Sequence, residues 1–209
     1  MKKLIFATGN RDKMNEIRDI MDDLGFEVTS MREEGIESDP DETGTTFEEN
    51  AMIKARAVHE ICIERGIEAI VLSDDSGLEI DCLNGEPGIY SARYLGRDTT
   101  YAEKNANLID RVDKTGDKDR TARFVCAVAA VFPDGREFVV RGTIEGSVAH
   151  QASGNKGFGY DPIFYVEELG CTTADIPEEH KNRISHRGVA LRMMKEILLK
   201  ETDSGENNG

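Results

Sequence analysis

The sequence predicts an α/β fold built on a mixed β-sheet. Three observations carry that expectation. The first thirty residues read as strand, turn, helix, strand. Two later segments open with a capping-box signature ahead of a helical apolar stripe. Two long β-rich runs in the second half flank Pro133-Asp134-Gly135, a strong hairpin signal.

Taken in order, Leu4 to Thr8 is a short apolar run ending at Gly9, and Met14, Ile17, Ile20, Met21 and Leu24 then recur at helical spacing until Gly25. Phe26 to Ser30 reads as a second strand. Residues 31–45 are acidic and poor in core-forming side chains, with Pro40 and Gly44, and read as a loop whose length suggests function or mobility. Thr46 and Glu49 make a capping-box pair, after which Phe47, Ala51, Ala55, Val58 and Cys62 share one helical face up to Gly66. Ala69 to Ser73 is a buried-strand candidate that stops at DDSG, and LEIDCL is a candidate for another strand. Thr100 and Glu103 repeat the capping-box pattern ahead of a helix to about Val112. Ala122 to Phe132 and Arg136 to Gly146 form the hairpin arms, and Gly154 to Pro162 is a glycine-rich loop. Ser185 starts a last helix with Ala190, Met193, Met194, Ile197 and Leu198 on its buried face, and a polar tail follows from about Thr202.

At 209 residues the chain suits one domain or two closely fused lobes, without an independent second domain. With 41 acidic against 26 basic residues the net charge is −15, which argues against general affinity for nucleic acid or an anionic membrane. An anionic ligand therefore needs a local site. Cys62, Cys82, Cys126 and Cys171 are too far apart for a close-pair metal or redox motif and read as reduced core residues. The start MKKLIFATGN has too short an apolar run for a signal peptide, and no later stretch reaches the length of a membrane span. A soluble, cytoplasmic protein is expected.

Several segments bear on chemistry. Thr8 to Lys13 lies at a strand-to-helix junction, where free N–H groups and the helix dipole favour an anion and Lys13 adds a full charge; a tight turn capped by Asn10 is the plainer alternative. The segment lacks the ending of a P-loop, and Gly154 to Gly159 lacks the Rossmann spacing. Glu42, Asp74 and Asp75 together suit hard oxygen coordination of Mg²⁺, against the alternative that Asp75 caps a turn and Glu42 is solvated. Two abutting carboxylates repel unless a cation or shared proton relieves them. Lys181 to Gly188 gathers basic and titratable groups ahead of a helix N-terminus, where an anionic or electron-rich partner, or pairing with surface acids, would account for them. Lys54 fits a solvated helix face as well as a site, and Phe158 and Tyr160 suit stacking on a base or burial in the core.

In this order, ATGNRDK, TFEENAMIKA, SDDSGLEIDCLNGEPGIYSARY, RTARFVC, GFGYDPIF and KNRISHR closely resemble the motifs of the inosine triphosphate pyrophosphatase family, hydrolases that remove non-standard purine nucleoside triphosphates. The chain departs at Ser73, where an alanine or another small or acidic residue is frequent, and in a few residues inserted before Ala69. The resemblance implies an elongated, two-lobed α/β protein on a long mixed sheet with flanking helices, a nucleotide cleft between the lobes, and a homodimer. It spans the chain up to residue 201 as one two-lobed domain and leaves 202–209 as a disordered tail. It also implies Mg²⁺-dependent hydrolysis of ITP, dITP or XTP to the monophosphate and pyrophosphate. Carried over by motif, Thr8, Gly9, Asn10, Lys13 and Lys54 hold the phosphates, and Glu42 and Asp75 serve the metal, with Asp41 as the alternative to Glu42. Asp75 is also the implied general base, with Ser76 beside the substrate. Phe158, Gly159, Tyr160, Asp161, Lys181, His186 and Arg187 are implied to form the base pocket. Inosine and xanthosine carry an oxygen at C6 where adenosine carries an amino group, so donors from Arg187, His186 or the backbone would face a second donor with ATP. A site built around such bonds discriminates by roughly 10⁴–10⁵.

Overall fold

A computed structural model describes residues 2–21, 25–116 and 118–203. Its strands are β1 (Lys3–Phe6), β2 (Glu27–Ser30), β3 (Ile70–Ile80), β4 (Thr121–Val131), β5 (Glu137–Val148), β6 (Phe164–Val166) and β7 (Cys171–Thr172). Its helices are α1 (Arg11–Met21), α2 (Phe47–Glu64), α3 (Tyr101–Thr115), α4 (Glu178–Ile184) and α5 (His186–Asp203). The seven strands pair in the order β2-β1-β3-β4-β5-β6-β7. β1 is parallel to β2 and β3, whereas β6 is antiparallel to β5 and β7, so the sheet is mixed as expected.

The chain forms two compact units. The described residues of the first come from the segments Met1–Asp75, Cys126–Gly142 and Arg187–Gly209, and those of the second from Ser76–Val125 and Thr143–His186. Inside the first unit the sheet is covered on both faces, which is why its strands read as nearly continuous apolar runs. Leu4, Phe6, Ile70, Leu72, Cys126 and Val128 pack on Met14, Ile17 and Met21 of α1 and on Ala190, Leu191, Met194 and Leu198 of α5. On α2, Phe47, Ala51, Ala55, Val58 and Cys62 are all buried, the face predicted from their spacing. Leu24 lies outside the described residues, as does the tail at 204–209.

The second unit has its own core, with Leu78, Ile80, Leu108, Val112, Phe124, Ile163 and Phe164 among its members. α3 begins with the predicted box, Thr100 Oγ1 accepting from Glu103 N while Glu103 Oε2 accepts from Thr100 N at 3.0 Å. The predicted turn closes the β4–β5 hairpin, with Phe132 N donating to Arg136 O and Gly135 N to Phe132 O, each at 2.9 Å.

Four expectations change. The DDSG segment does not interrupt a strand: β3 runs through it without a break to Ile80, and Asp81–Leu83 is a 3₁₀ turn. Asp and Gly are poor strand formers, and the ladder to β1 ends at Leu72, so beyond that point it is the pairing with β4 that keeps β3 extended. The last helix is preceded by α4, with Ser185 between the two. On α5, Met193 is exposed and Leu191 takes the core position. Of the cysteines, Cys62 and Cys126 are buried, whereas Cys82 and Cys171 are half-buried; all four are free thiols.

Candidate active site

Side chains alternate between the faces of a strand, so Asp74 and Asp75 point to opposite sides of β3. Each carboxylate has its own cations. Asp74 faces α1 and α5: Lys13 Nζ donates to Oδ1 at 3.0 Å and lies 2.8 Å from Oδ2, and the Arg187 guanidinium approaches Oδ2 at 3.4 Å. Burial alone would push this carboxyl up, but Lys13, Arg187 and Lys54 together outweigh it and hold Asp74 far below the ordinary carboxylate range. Cys126 Sγ lies 4.0 Å from Oδ2, and its thiol is pushed up to about 12, first by burial and then by Asp74.

Asp75 faces α2. Lys54 Nζ donates to its Oδ1 at 3.1 Å and to Glu42 Oε1 at 2.9 Å, bridging the two acids. Asp75 Oδ2 is buried and has no hydrogen-bond partner among the described residues. Burial raises this carboxyl, Lys54 opposes the rise, and Glu42 and Asp74 add to it, leaving Asp75 above its ordinary value. Lys54 moves up as well: its own burial would lower it, but Asp75, Asp74 and Glu42 prevail.

Local structure sets these positions. Ser73 donates a short hydrogen bond to the carbonyl of Ala51, tying β3 to α2 one turn from Lys54. The acidic loop is pinned where Gly44 N donates to the buried Asn50 Oδ1 at 2.9 Å. A Cβ on Gly44 would lie 2.6 Å from that oxygen, so only glycine allows the approach. Glu42, two residues earlier, thereby reaches Lys54, while Asp41 is exposed.

At the end of β1, Asn10 N donates to Thr8 Oγ1 at 3.2 Å and Lys13 N to Asn10 Oδ1 at 3.3 Å, so Asn10 caps α1 as the turn reading expected. A Cβ on Gly9 would meet no protein atom within 4 Å, so the protein leaves open space beside this turn. Thr8, Gly9, Lys13, Glu42, Lys54 and Asp74 line a cavity of about 180 Å³ within the first unit. Asn10 lines an adjoining hollow with Thr8 and Gly9.

Of the residues assigned to base recognition, all but Arg187 belong to the second unit. In the second unit, Asp161 organises the glycine-rich loop: Oδ2 accepts from Phe158 N at 2.8 Å and Lys181 Nζ at 2.7 Å, and Oδ1 accepts from Thr173 Oγ1 at 2.8 Å. Lys181 Nζ sits 5.1 Å from the Phe158 ring centroid. Gly159 O accepts from Asn105 Nδ2 at 3.2 Å. Tyr160 is buried, its hydroxyl donating to Ser91 O at 2.6 Å and its ring set edge-on to Tyr101. His186 stacks on Phe124 with centroids 4.8 Å apart, and Ser76 is half-buried. Arg187 belongs to the first unit and is 3% exposed, with its guanidinium against Glu16 and Asp74.

The Ham1 family model matches residues 4–197. The chain belongs to the Ham1 family. Its relatives include the dITP/XTP pyrophosphatase of Clostridium perfringens, 43% identical over 95% of this chain and 98% of that protein. The dITP/XTP pyrophosphatase of Exiguobacterium sp. is 46% identical over 94% and 97%. A HAM1 protein from Coxiella burnetii has a solved structure that superposes with a TM-score of 0.86 at 37% identity, covering 96% of this chain and all of that one.

This Ham1-family chain uses residues that sequence reasoning passed over. Glu16, Asn50, Asn105 and Thr173 all hold site residues in place. Glu16 carried one available signal, standing one helical turn beyond Lys13 and next to the apolar Ile17. Asn105 and Thr173 bond to segments remote in sequence, and Asn50, six residues from Gly44, belongs to no recognised capping pattern.

Among the described residues no three His, Cys, Asp or Glu side chains converge as a metal site. Glu42 and Asp75 do fit Mg²⁺, which usually takes one or two protein carboxylates and completes its shell with phosphate and water. The unpartnered, buried Asp75 Oδ2 leaves a carboxylate oxygen available to such a cation.

Proposed function

We infer that this protein hydrolyses non-standard purine nucleoside triphosphates, dITP, XTP and ITP, to the monophosphate and pyrophosphate. The observation that carries this reading is Asp75: a buried carboxylate with one oxygen on Lys54 and the other unpartnered, beside a lysine-lined cavity at the ends of parallel strands. The dITP/XTP pyrophosphatase relatives, aligned over nearly the whole chain, supply the substrate class.

In this reading the phosphates lie against the Thr8–Asn10 turn and the N-terminus of α1, with charge from Lys13 and Lys54. Asp75 accepts a proton from water. The water oxygen bonds to a phosphorus of the α,β-anhydride, the bridging P–O bond breaks, and its electron pair leaves with pyrophosphate if the α phosphorus is attacked or with the nucleoside monophosphate if the β phosphorus is. The lysines stabilise the charge that grows on the phosphate oxygens. Mg²⁺, held by Glu42 and Asp75, would neutralise part of the triphosphate charge and acidify water. A carboxylate raised by burial is the better base near neutral pH.

Base recognition is assigned to Phe158, Gly159, Tyr160, Asp161, Lys181 and His186 of the second unit and to Arg187, with Ser76 beside the substrate. Support comes from the Asp161 network, which fixes the loop backbone and holds a lysine over an aromatic ring. No helix among the described residues is long and apolar enough to cross a membrane. A homodimer acting in the cytoplasm, without nucleic-acid partners, is the setting proposed, in keeping with the family resemblance and the acidic charge.

The test is an assay of purified protein with Mg²⁺ and dITP, XTP, ITP, ATP or GTP, scoring pyrophosphate against orthophosphate. Pyrophosphate from the first three, with ATP and GTP poor substrates, is expected. Release of orthophosphate, or a preference for ATP, would overturn the assignment.

A further inference from the structure

Glu16 lies on α1, one turn beyond Lys13, and is buried. Its Oε2 accepts from Arg187 Nη1 in a short ion pair. The same guanidinium turns Nε and Nη2 toward Asp74 Oδ2, each at 3.4 Å. Lys13 Nζ holds Asp74 more closely, at 2.8 Å and 3.0 Å. Glu16, Arg187, Asp74 and Lys13 thus form a row of alternating charge. Its first three members are buried, and its last two, Asp74 and Lys13, line the cavity beside Gly9.

We propose that Glu16 is a positioning residue for the triphosphate: through Arg187 and Asp74 it sets where the Lys13 ammonium stands in the cavity. This rests on the reading of Lys13 as a phosphate-binding group. Two cations share Asp74, and the distances say which holds it. Glu16 draws the guanidinium to its own side, so Arg187 stays at 3.4 Å and Asp74 gives its short contacts to Lys13. A buried guanidinium that loses one carboxylate has strong cause to close on the other, because an unpaired buried charge is costly and a bidentate pair is the favoured geometry. Without the charge of Glu16, Arg187 would compete for Asp74 and Lys13 would lose its fixed place.

The alternatives differ in sign. If Glu16 acted only as a negative charge near an anionic substrate, neutralising it would strengthen substrate binding. If it were only a core ion pair, its loss would lower the melting temperature and leave binding by the folded enzyme unchanged. Positioning predicts weaker binding.

The experiment compares wild type, Glu16→Gln, Glu16→Asp and Lys13→Ala, each checked for native circular dichroism. It reads KM and kcat for dITP, and the affinity for inorganic pyrophosphate by calorimetry in Mg²⁺ buffer. Glu16→Gln should raise KM and weaken pyrophosphate binding by about tenfold, a coupling of the size seen within one charged network. Glu16→Asp, which keeps the charge but shortens the reach, should weaken both by about threefold; it carries the test if Glu16→Gln does not fold. Unchanged or tighter binding in the Glu16 variants, with Lys13→Ala weakened, would overturn the role of Glu16 and leave that of Lys13 standing. Unchanged binding in Lys13→Ala would overturn the phosphate-site reading and this inference with it.

Discussion

Asp74 and Asp75 are neighbours in sequence with opposite electrostatic fates. Asp74 lies below its ordinary value, so its ionised form contributes stability above about pH 4 that is lost as pH falls through the depressed folded value. Asp75 lies above it, so the folded state holds this proton more tightly than the unfolded chain, and stability declines as pH rises from about 4 through the raised value. Substituting each by Asn should separate the two roles. Asp74→Asn leaves Arg187 and Lys13 short of a buried partner and should cost about 3–5 kcal/mol in denaturant unfolding at pH 7. Asp75→Asn removes a carboxylate that is unfavourably ionised at that pH; its melting temperature should stay level or rise while kcat falls by about 10²–10⁴. A clearly destabilised Asp75→Asn, or one with full turnover, would contradict the assignment. Lys54 opposes the rise of Asp75, so Lys54→Met should move the acid limb of kcat/KM to higher pH.

At the scale of elements, β3 is the beam that carries the chemistry, and its neighbours decide what each side chain meets. α1 and α5 bring cations to one face and α2 brings Lys54 to the other. The acidic loop joins this frame at Gly44, whose amide rests on Asn50. In Gly44→Ala the new Cβ would fall 2.7 Å from Glu49 Cβ and nearer still to Asn50 Oδ1, so the loop must shift and carry Glu42 with it. The expected result is a higher Mg²⁺ concentration for half-maximal activity, with a stability loss of about 1–3 kcal/mol. An unchanged Mg²⁺ titration would disconnect Gly44 from the metal site. The capping box of Thr100 with Glu103 and the buried stripe of α2 were readable because their signals lie within a few residues, whereas at Thr46 only the N-cap half forms and Glu49 turns its carboxylate to Thr45 N. The course of β3 through DDSG was not readable, since local turn propensity points one way and pairing with β4, a strand remote in sequence, overrules it.

For the whole molecule, a net charge of −15 is self-repulsive, while Lys13 and Lys54 line the cavity beside Gly9 and Arg187 sits in a buried pair. Added salt screens the repulsion between surface acids more than it weakens buried pairs such as Arg187 with Glu16. The melting temperature should therefore climb with KCl from low ionic strength toward the molar range, as scanning calorimetry would record; a flat or falling response would show that the acidic surface carries no net penalty. The same charge leaves an incoming triphosphate dependent on local attraction, so Lys13 and Lys54 matter more here than they would on a neutral protein.

The sequence by itself determined the α/β class, the places of most helices and strands, and through six ordered motifs the family whose chemistry the chain shares. The class and the elements follow from periodicity, capping and composition written within short windows, whereas the family follows from the resemblance of those motifs to known ones. Only the tertiary structure decided that Asp74 and Asp75 face opposite sides of one strand, that Glu42 rather than Asp41 reaches Lys54, and that Arg187 turns inward to Glu16 and Asp74. Those outcomes depend on contacts between residues 12 to 171 positions apart, Lys54 with Glu42 and Arg187 with Glu16 at the extremes. A carboxylate's protonation, partner and use follow from the charges packed around it, and packing exists only once the chain has folded.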